Sequence, residues 1–154
     1  RYDVIAVDAY RPPYIPFHLT TREFFEEARR HLTPTGVVVI NAARTANDSR
    51  LVDALASTMA AVFPSVFVLN EPLFGSDLGN SLVIATNQPA QLDNFAANMS
   101  LLDGHPLLAE VARRALPHIA PARTDGPVFT DDLSPIEQMM HQLILRYILA
   151  GGAA

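Results

Sequence analysis

The sequence predicts an α/β fold built around a central parallel sheet. Short apolar segments with strand patterns alternate along the chain with longer segments in which apolar residues recur every three or four positions. One strand segment, Gly36–Asn41, reads GVVVIN and is continuously apolar, which indicates a strand covered on both faces. The four predicted strands are Tyr2–Val7, Gly36–Asn41, Ser65–Asn70 and Asn80–Thr86.

Composition indicates one globular unit. The chain has 154 residues, of which 49% are hydrophobic and 18% are charged, which is enough apolar material for one domain with its own core. The absence of cysteine excludes disulfides, thiolate zinc sites and cysteine nucleophiles. Any chemistry must therefore come from carboxylates, hydroxyls, imidazoles or a cofactor.

The charge pattern favours a small cationic ligand. The net charge is −5 and all 11 basic residues are arginines, without the clustered basic face that nucleic-acid binding needs. No apolar run reaches the length of a membrane span and no signal peptide precedes the first strand, so we expect no membrane segment here and a cytoplasmic protein. The chain opens at Arg1 without a methionine, and we expect it to be a piece of a larger protein.

Capping signals predict where the first helix starts. Thr20 stands three residues before Glu23, which is the spacing of a capping box, and Leu19 and Phe24 are placed as a hydrophobic staple. We expect this helix to run to about His31.

Two further helices are predicted in the middle of the chain. One begins near Asp48, buries an apolar face and ends before Pro64. A shorter one covers Leu107 to Leu116. The apolar face of the first consists of Leu51, Leu55, Met59 and Val62.

The last predicted helix opens with a second capping box. Ser134 is the expected cap, Pro135 the first helical residue and Glu137 the closing acid. The stripe that follows must pack on a large apolar surface, and it consists of Ile136, Met139, Met140, Leu143, Ile144 and Tyr147.

Asp8 is the first candidate for a functional residue. It directly follows the first strand, and in open α/β sheets ligands bind outside the carboxyl ends of the parallel strands. The alternative is a solvated or capping acid. Tyr10 and Tyr14 follow in a proline-rich loop, where they either line a substrate pocket or pack the loop onto the sheet.

Three acids near the last helix are further candidates. Asp131, Asp132 and Glu137 could together bind a cationic substrate. Negative charge is also favoured at a helix start by the helix dipole, and Glu137 fits a capping box, so a structural role stays open for all three.

The remaining motifs argue against several enzyme classes. The five histidines have no metal-ligand spacing, and we predict no metal site. The sequence contains neither a Gly-x-Ser-x-Gly elbow nor a glycine-rich phosphate loop. The motifs that usually indicate a hydrolase or a nucleotidase are therefore missing.

The segments YDVIAVDAY and LTPTGVVVIN, with a helix between them, resemble the second half of the methyltransferase-type Rossmann fold. Together with FTDDLSPIEQ they most resemble the spermidine synthase family of polyamine aminopropyltransferases, especially its divergent bacterial members. This resemblance covers nearly the whole chain. It implies a three-layer Rossmann-like fold with a C-terminal helix. The methyltransferase-type sheet of this fold would contain strands four to seven, and its last hairpin would be antiparallel. Residues 1–154 would then be the C-terminal part of one domain, without the upstream half that binds the cofactor.

The resemblance also implies a reaction. An amine of a polyamine attacks decarboxylated S-adenosylmethionine, Asp8 matches the catalytic aspartate of the family, and a homodimer is possible. Phe74 falls where family members often have a substrate-binding tyrosine, and Arg11 falls where they usually have a second aspartate.

These two departures keep other functions open. Arg11 would repel a diamine, which favours an S-adenosylmethionine-dependent methyltransferase with a different acceptor. The missing tyrosine and aspartate favour a non-catalytic module with the same fold.

Overall fold

The centre of the molecule is a mixed β-sheet and not the all-parallel sheet that the alternation of strands and helices predicted. The computed structural model describes residues 1–9, 14–72 and 78–151, and within those ranges the sheet has five strands in the order β1-β2-β4-β3-β5. The strands are β1 (Tyr2–Val7), β2 (Leu32–Thr45), β3 (Ser65–Asn70), β4 (Leu78–Thr86) and β5 (Ile119–Pro121).

Strand directions confirm the predicted α/β class. β1 and β2 are parallel neighbours joined through a helix, with Val4 opposite Val37 and Val7 opposite Ile40. β3 and β4 form an antiparallel hairpin, as the family resemblance implied, and β4 also pairs antiparallel with β2. The three-residue β5, which the sequence pattern did not predict because it is too short to show alternation, pairs antiparallel with β3.

Three of the helices pack on one face of the sheet. The described helices are α1 (Arg22–Arg30), α2 (Arg50–Ala60), α3 (Leu92–Ala97), α4 (Pro106–Ala115) and α5 (Ile136–Leu149). Buried side chains of α1, α2 and α5 join one core cluster with those of β2 and β4. Leu51, Leu55 and Met59 of α2 are at most 1% exposed, as its predicted apolar face requires. No helix in the described ranges has both the length and the apolar character needed to cross a membrane.

The two faces of β2 differ in burial. Val38, Ile40 and Ala42 are fully buried beneath the helices, whereas the alternate residues Val37 and Val39 are only half-buried. Cover on the second face of this strand is therefore only partial in the described residues, whereas the sequence predicted cover on both faces. A continuous apolar run cannot by itself tell full cover from partial cover. On the second face, residues of α4 share a cavity lining with the ends of β3 and β4, whereas Tyr2, Val4 and Ala6 of β1 are exposed.

The first helix is capped one residue later than predicted. The Thr21 hydroxyl accepts the Phe24 N–H at 3.3 Å, so Thr21 and not Thr20 is the N-cap. The buried Thr20 hydroxyl instead donates to the Phe17 carbonyl at 2.6 Å. Either threonine hydroxyl could cap the helix by the same hydrogen bond. Thr20 is engaged in other contacts, so Thr21 is the cap.

The predicted capping box of the last helix is also wrong. Helix α5 begins at Ile136 with Pro135 as its N-cap, and this cap makes no side-chain hydrogen bond to the helix. The Ser134 hydroxyl lies 3.1 Å from that of Thr20, so a contact between distant parts of the chain replaces the local cap. The short helix predicted over Leu107 to Leu116 is confirmed as α4.

An irregular segment before α5 is fastened across α2. The Gly126 N–H donates to the Ser57 hydroxyl and the Phe129 N–H donates to the Thr58 hydroxyl, both at 2.9 Å. The Arg22 N–H donates to the Phe129 carbonyl at 2.9 Å. These bonds hold the turn that follows Phe129 beside the starts of α1 and α5.

Candidate functional site

Asp8 lies at the carboxyl end of the parallel strand pair. It directly follows Val7, whose partner in β2 is Ile40, and the next residue of β2 is Asn41. The Asn41 side-chain amide donates to Asp8 Oδ1 at 3.2 Å, and the Asp8 side chain is exposed. Since β1 and β2 run in the same direction, their ends bring this carboxylate and this amide to the edge where α/β sheets bind ligands.

A large cavity opens beside Asn41. It has a volume of about 800 Å³ and lies between the second face of the sheet and α4. Its walls combine aliphatic residues with asparagines, one acidic residue and two basic ones, Arg114 and His118. They include Leu69, Leu82, Val111, Asn41, Asn80 and Glu71. Such a mixture suits a ligand with an apolar chain and a few polar groups.

Two arginines shape the charge around this cavity. Arg44, one of the last residues of β2, donates through Nη2 to the Glu71 carbonyl at 2.6 Å and fixes the chain where β3 ends. Arg114 lies in the cavity wall and pairs with Glu110 at 2.8 Å. The hydrogen bond from Arg114 holds the pKa of the Glu110 carboxyl below its usual value.

A second cleft contains other predicted residues. It has a volume of about 590 Å³ and is lined by Phe17, Ser134, Pro135, Glu137, Gln138 and His141. The Tyr14 hydroxyl is hydrogen-bonded to His141 Nε2, and the two rings meet edge to face with centroids 5.0 Å apart. The structure therefore brings Tyr14 and Glu137 to the first half of α5. Asp8 is in the lining of neither this cleft nor the larger cavity.

Asp131 and Asp132 occupy the tip of a tight turn. Two backbone hydrogen bonds of 3.0 Å between Thr130 and Leu133 close this turn, and both acids are exposed. The Asp131 N–H donates to the Glu23 carboxylate at 3.1 Å, which attaches the turn to α1. The predicted roles of Tyr10 and Phe74, and the orientation of Arg11, lie outside the described residues.

A buried carboxylate ties the end of β2 to α5. The Asp48 side chain is 8% exposed and accepts hydrogen bonds from Arg50 Nε at 2.8 Å and Nη2 at 2.7 Å. Arg146 of α5 approaches the same carboxylate to 3.8 Å. The hydrogen bonds from Arg50 lower the pKa of Asp48, although burial opposes the shift. We call Asp48, Arg50 and Arg146 the Asp48 clamp.

Sequence reasoning missed Asn41, Glu71 and His141. Asn41 is the residue that ends the apolar run of β2, so its place beside Asp8 follows once parallel pairing is known. Glu71 and His141 carried no local signal, because their neighbours come from distant parts of the chain. Among the described residues, no group of three or more histidines and acids is placed to hold a metal ion.

Comparison with known proteins supports one family. No family model matches the chain. It is 30% identical, over an alignment of 158 positions, to the probable polyamine aminopropyl transferase of Bifidobacterium longum (strain NCC 2705), covering 93% of this chain and 35% of that protein. It is 36% identical over 93 residues to the polyamine aminopropyltransferase of Vibrio vulnificus (strain CMCP6), covering 59% of this chain and 29% of that protein.

A solved structure agrees with these relatives. The fold is similar, with a TM-score of 0.57 and 25% identity, to the crystal structure of a probable spermidine synthase from Corynebacterium glutamicum ATCC 13032. The match covers 86% of this chain and 48% of that one. The chain spans about a third of the length of the curated relatives that it matches. It is therefore similar to part of a polyamine aminopropyltransferase, and the resemblance to the spermidine synthase family predicted from its sequence is confirmed.

Proposed function

We propose that the protein containing this chain transfers an aminopropyl group from decarboxylated S-adenosylmethionine to an amine of a polyamine. The observation that carries the proposal is the Asp8–Asn41 pair at the carboxyl ends of β1 and β2, next to the large cavity. The names of the similar proteins support the same activity.

Asp8 acts on the attacking amine. The amine nitrogen forms a bond to the methylene carbon beside the sulfonium, the carbon–sulfur bond breaks, and methylthioadenosine leaves as a neutral thioether. The new nitrogen centre loses one proton, which Asp8 accepts. Asn41 binds Oδ1 of the carboxylate, and we assign the proton to Oδ2. A base held beside the amine aligns the amine for attack and accepts its proton.

The large cavity is the proposed binding place of the acceptor chain. Leu69, Leu82 and Val111 offer apolar surface to the methylene groups, while Glu71 and the asparagines suit ammonium groups. We place the binding of the co-substrate mainly in parts of the protein outside this chain, as the family resemblance implies. We also propose a homodimer, which the family resemblance implies, and we keep the cytoplasmic location expected from the sequence as a proposal.

The test measures turnover by the complete protein. Decarboxylated S-adenosylmethionine is supplied with putrescine or spermidine, and methylthioadenosine and the extended polyamine are quantified by mass spectrometry. Asp8→Asn should lower turnover by about 100-fold or more, the usual scale for losing a general base. The matched control is Asp3→Asn, because Asp3 is an exposed acid of the same strand that accepts a hydrogen bond from Thr33 at 2.9 Å.

Two outcomes would contradict the proposal. One is an absence of product from the wild-type protein, and the other is unchanged turnover in the Asp8→Asn variant.

A second candidate function is methyl transfer from S-adenosylmethionine to a neutral or anionic acceptor. The arginine at position 11 and Arg114 in the cavity wall favour such an acceptor over a diamine. S-adenosylmethionine with a panel of neutral and anionic acceptors tests it in the same assay, through the formation of S-adenosylhomocysteine.

A further inference from the structure

We propose that Tyr14 and His141 form a latch that fixes residues 14–20 against α5. In this role both are positioning residues for the reaction proposed above. Their expected effect on turnover rests on that proposed function. The proposal gives the Tyr14 hydroxyl a task within the protein in place of the substrate contact predicted from sequence.

The latch joins residues that are far apart along the chain. The Tyr14 hydroxyl and His141 Nε2 are hydrogen-bonded although 127 residues separate them. Their rings pack edge to face at 78°, with centroids 5.0 Å apart, so the contact has an aromatic component as well as a polar one. Edge-to-face packing and the hydrogen bond together define one orientation of Tyr14 on the helix.

A second contact holds the other end of the same segment. The hydroxyls of Thr20 and Ser134 lie 3.1 Å apart, and Thr20 also donates to the Phe17 carbonyl at 2.6 Å. Thr20 is 0% exposed, and Ile15 beside Tyr14 is 1% exposed. Residues 14–20 are thus anchored to α5 at Tyr14 and, at Thr20, to Ser134, which precedes α5; the latch is the anchor nearer to Asp8.

The position of the latch connects it to the candidate base. Asp8 is held at the end of β1 and by Asn41, and the chain is fixed again at Tyr14, six residues later. Six residues span at most about 20 Å even when fully extended, so Tyr14 lies within that distance of Asp8. A fixed segment this close to the candidate base reduces the reorganisation needed to reach a productive geometry.

The first test measures order in the segment and does not depend on activity. In the complete protein, Tyr14→Phe removes the hydroxyl but keeps the ring, and His141→Leu removes the imidazole. Each should speed hydrogen exchange of the Leu19 and Thr20 amides by about 3- to 10-fold, the scale of one net hydrogen bond. The double variant should show little more than either single variant. His141→Gln, which keeps an N–H near the position of Nε2, should restore much of the protection.

The second test is kinetic. Both Tyr14→Phe and His141→Leu should lower kcat by about 3- to 10-fold and leave the KM for the acceptor little changed. The control Tyr147→Phe, on the same helix but outside the latch, should change neither exchange nor kcat. A raised acceptor KM in Tyr14→Phe alone would mean that Tyr14 contacts the substrate, and the latch would be rejected.

The two proposals fail in different ways. If the wild-type protein makes no product, the proposed function is wrong while the exchange measurement still decides the latch. If the wild-type protein is active but exchange at residues 14–20 is unchanged in both single variants, or if their effects simply add, the latch is wrong and the proposed function stands.

Discussion

Replacing Asp48 by asparagine tests the Asp48 clamp. The substitution keeps the shape of the side chain but removes its charge and one of its two acceptor oxygens. Arg50 then loses a paired contact in which Nε and Nη2 lie 2.8 and 2.7 Å from the carboxylate, and Arg146 loses its nearby counter-charge. The substitution therefore weakens the contact that joins the end of β2 to α2 and α5.

The magnitude follows from how buried each partner is. Hydrogen bonds to a charged group contribute about 1.5–3 kcal/mol each when burial is deep. Asp48 is 8% exposed, but the Arg50 side chain is 44% exposed and can be hydrated when its partner is lost. We therefore expect the free energy of unfolding to fall by about 2 kcal/mol. For a domain of about this size, that corresponds to a lowering of Tm by about 4–8 °C.

The pH dependence identifies the charge as the cause. Because the pKa of Asp48 is lowered in the folded state, its contribution is present above the pKa of the unfolded chain, about 3.9. That contribution is lost as the pH falls through the lower folded value. Urea or thermal unfolding should thus show a constant difference between wild type and Asp48→Asn from pH 7 to pH 5, and a shrinking one below about pH 4.

Asp125→Asn is the matched control for this experiment. Asp125 also pairs with an arginine, Arg123 at 3.4 Å, but both side chains are 74% exposed. Its loss should cost less than about 0.5 kcal/mol. The reasoning is refuted if Asp48→Asn costs no more than this control, or if its cost stays the same at pH 3.

Two further predictions concern the helices. Leu55→Ala in α2 should lower the free energy of unfolding by about 2–5 kcal/mol, because Leu55 is 0% exposed in the main core, whereas Leu107→Ala at a 75% exposed position should change it by about 0.5 kcal/mol or less. Thr21→Ala should cost about 1 kcal/mol through loss of the α1 cap, and a cost below about 0.3 kcal/mol in the same unfolding assay would argue against that cap.

Local patterns were sufficient for most of the framework. The predicted limits of β1 and β3 match those in the structure, since alternation and turn residues mark them locally. The start of α5 was misplaced because Ser134 faces Thr20, and no local signal reveals a partner 114 residues away. β2 extends well beyond the predicted Gly36–Asn41, because its ends pair with β1 and β4 and need no apolar run of their own.

The candidate site was predictable only in part. Asp8 could be chosen because a general rule links strand ends to ligands, and that rule needs only the order of strand and helix. Asn41 required the pairing of β1 with β2, and the meeting of Tyr14 with His141 required the docking of α5. Contacts of this kind depend on packing over the whole fold, and no short sequence pattern predicts them.

The arrangement of β1 has a practical consequence. Within the described residues this strand is the outermost of the sheet, hydrogen-bonded to β2 along one side, and its Tyr2 and Val4 side chains are 61% and 58% exposed. An open strand edge with apolar neighbours is a template for any extended peptide backbone. When this stretch of chain is prepared alone, we expect self-association through that edge to limit its solubility. A charged side chain at position 4 would be the simplest way to oppose that association.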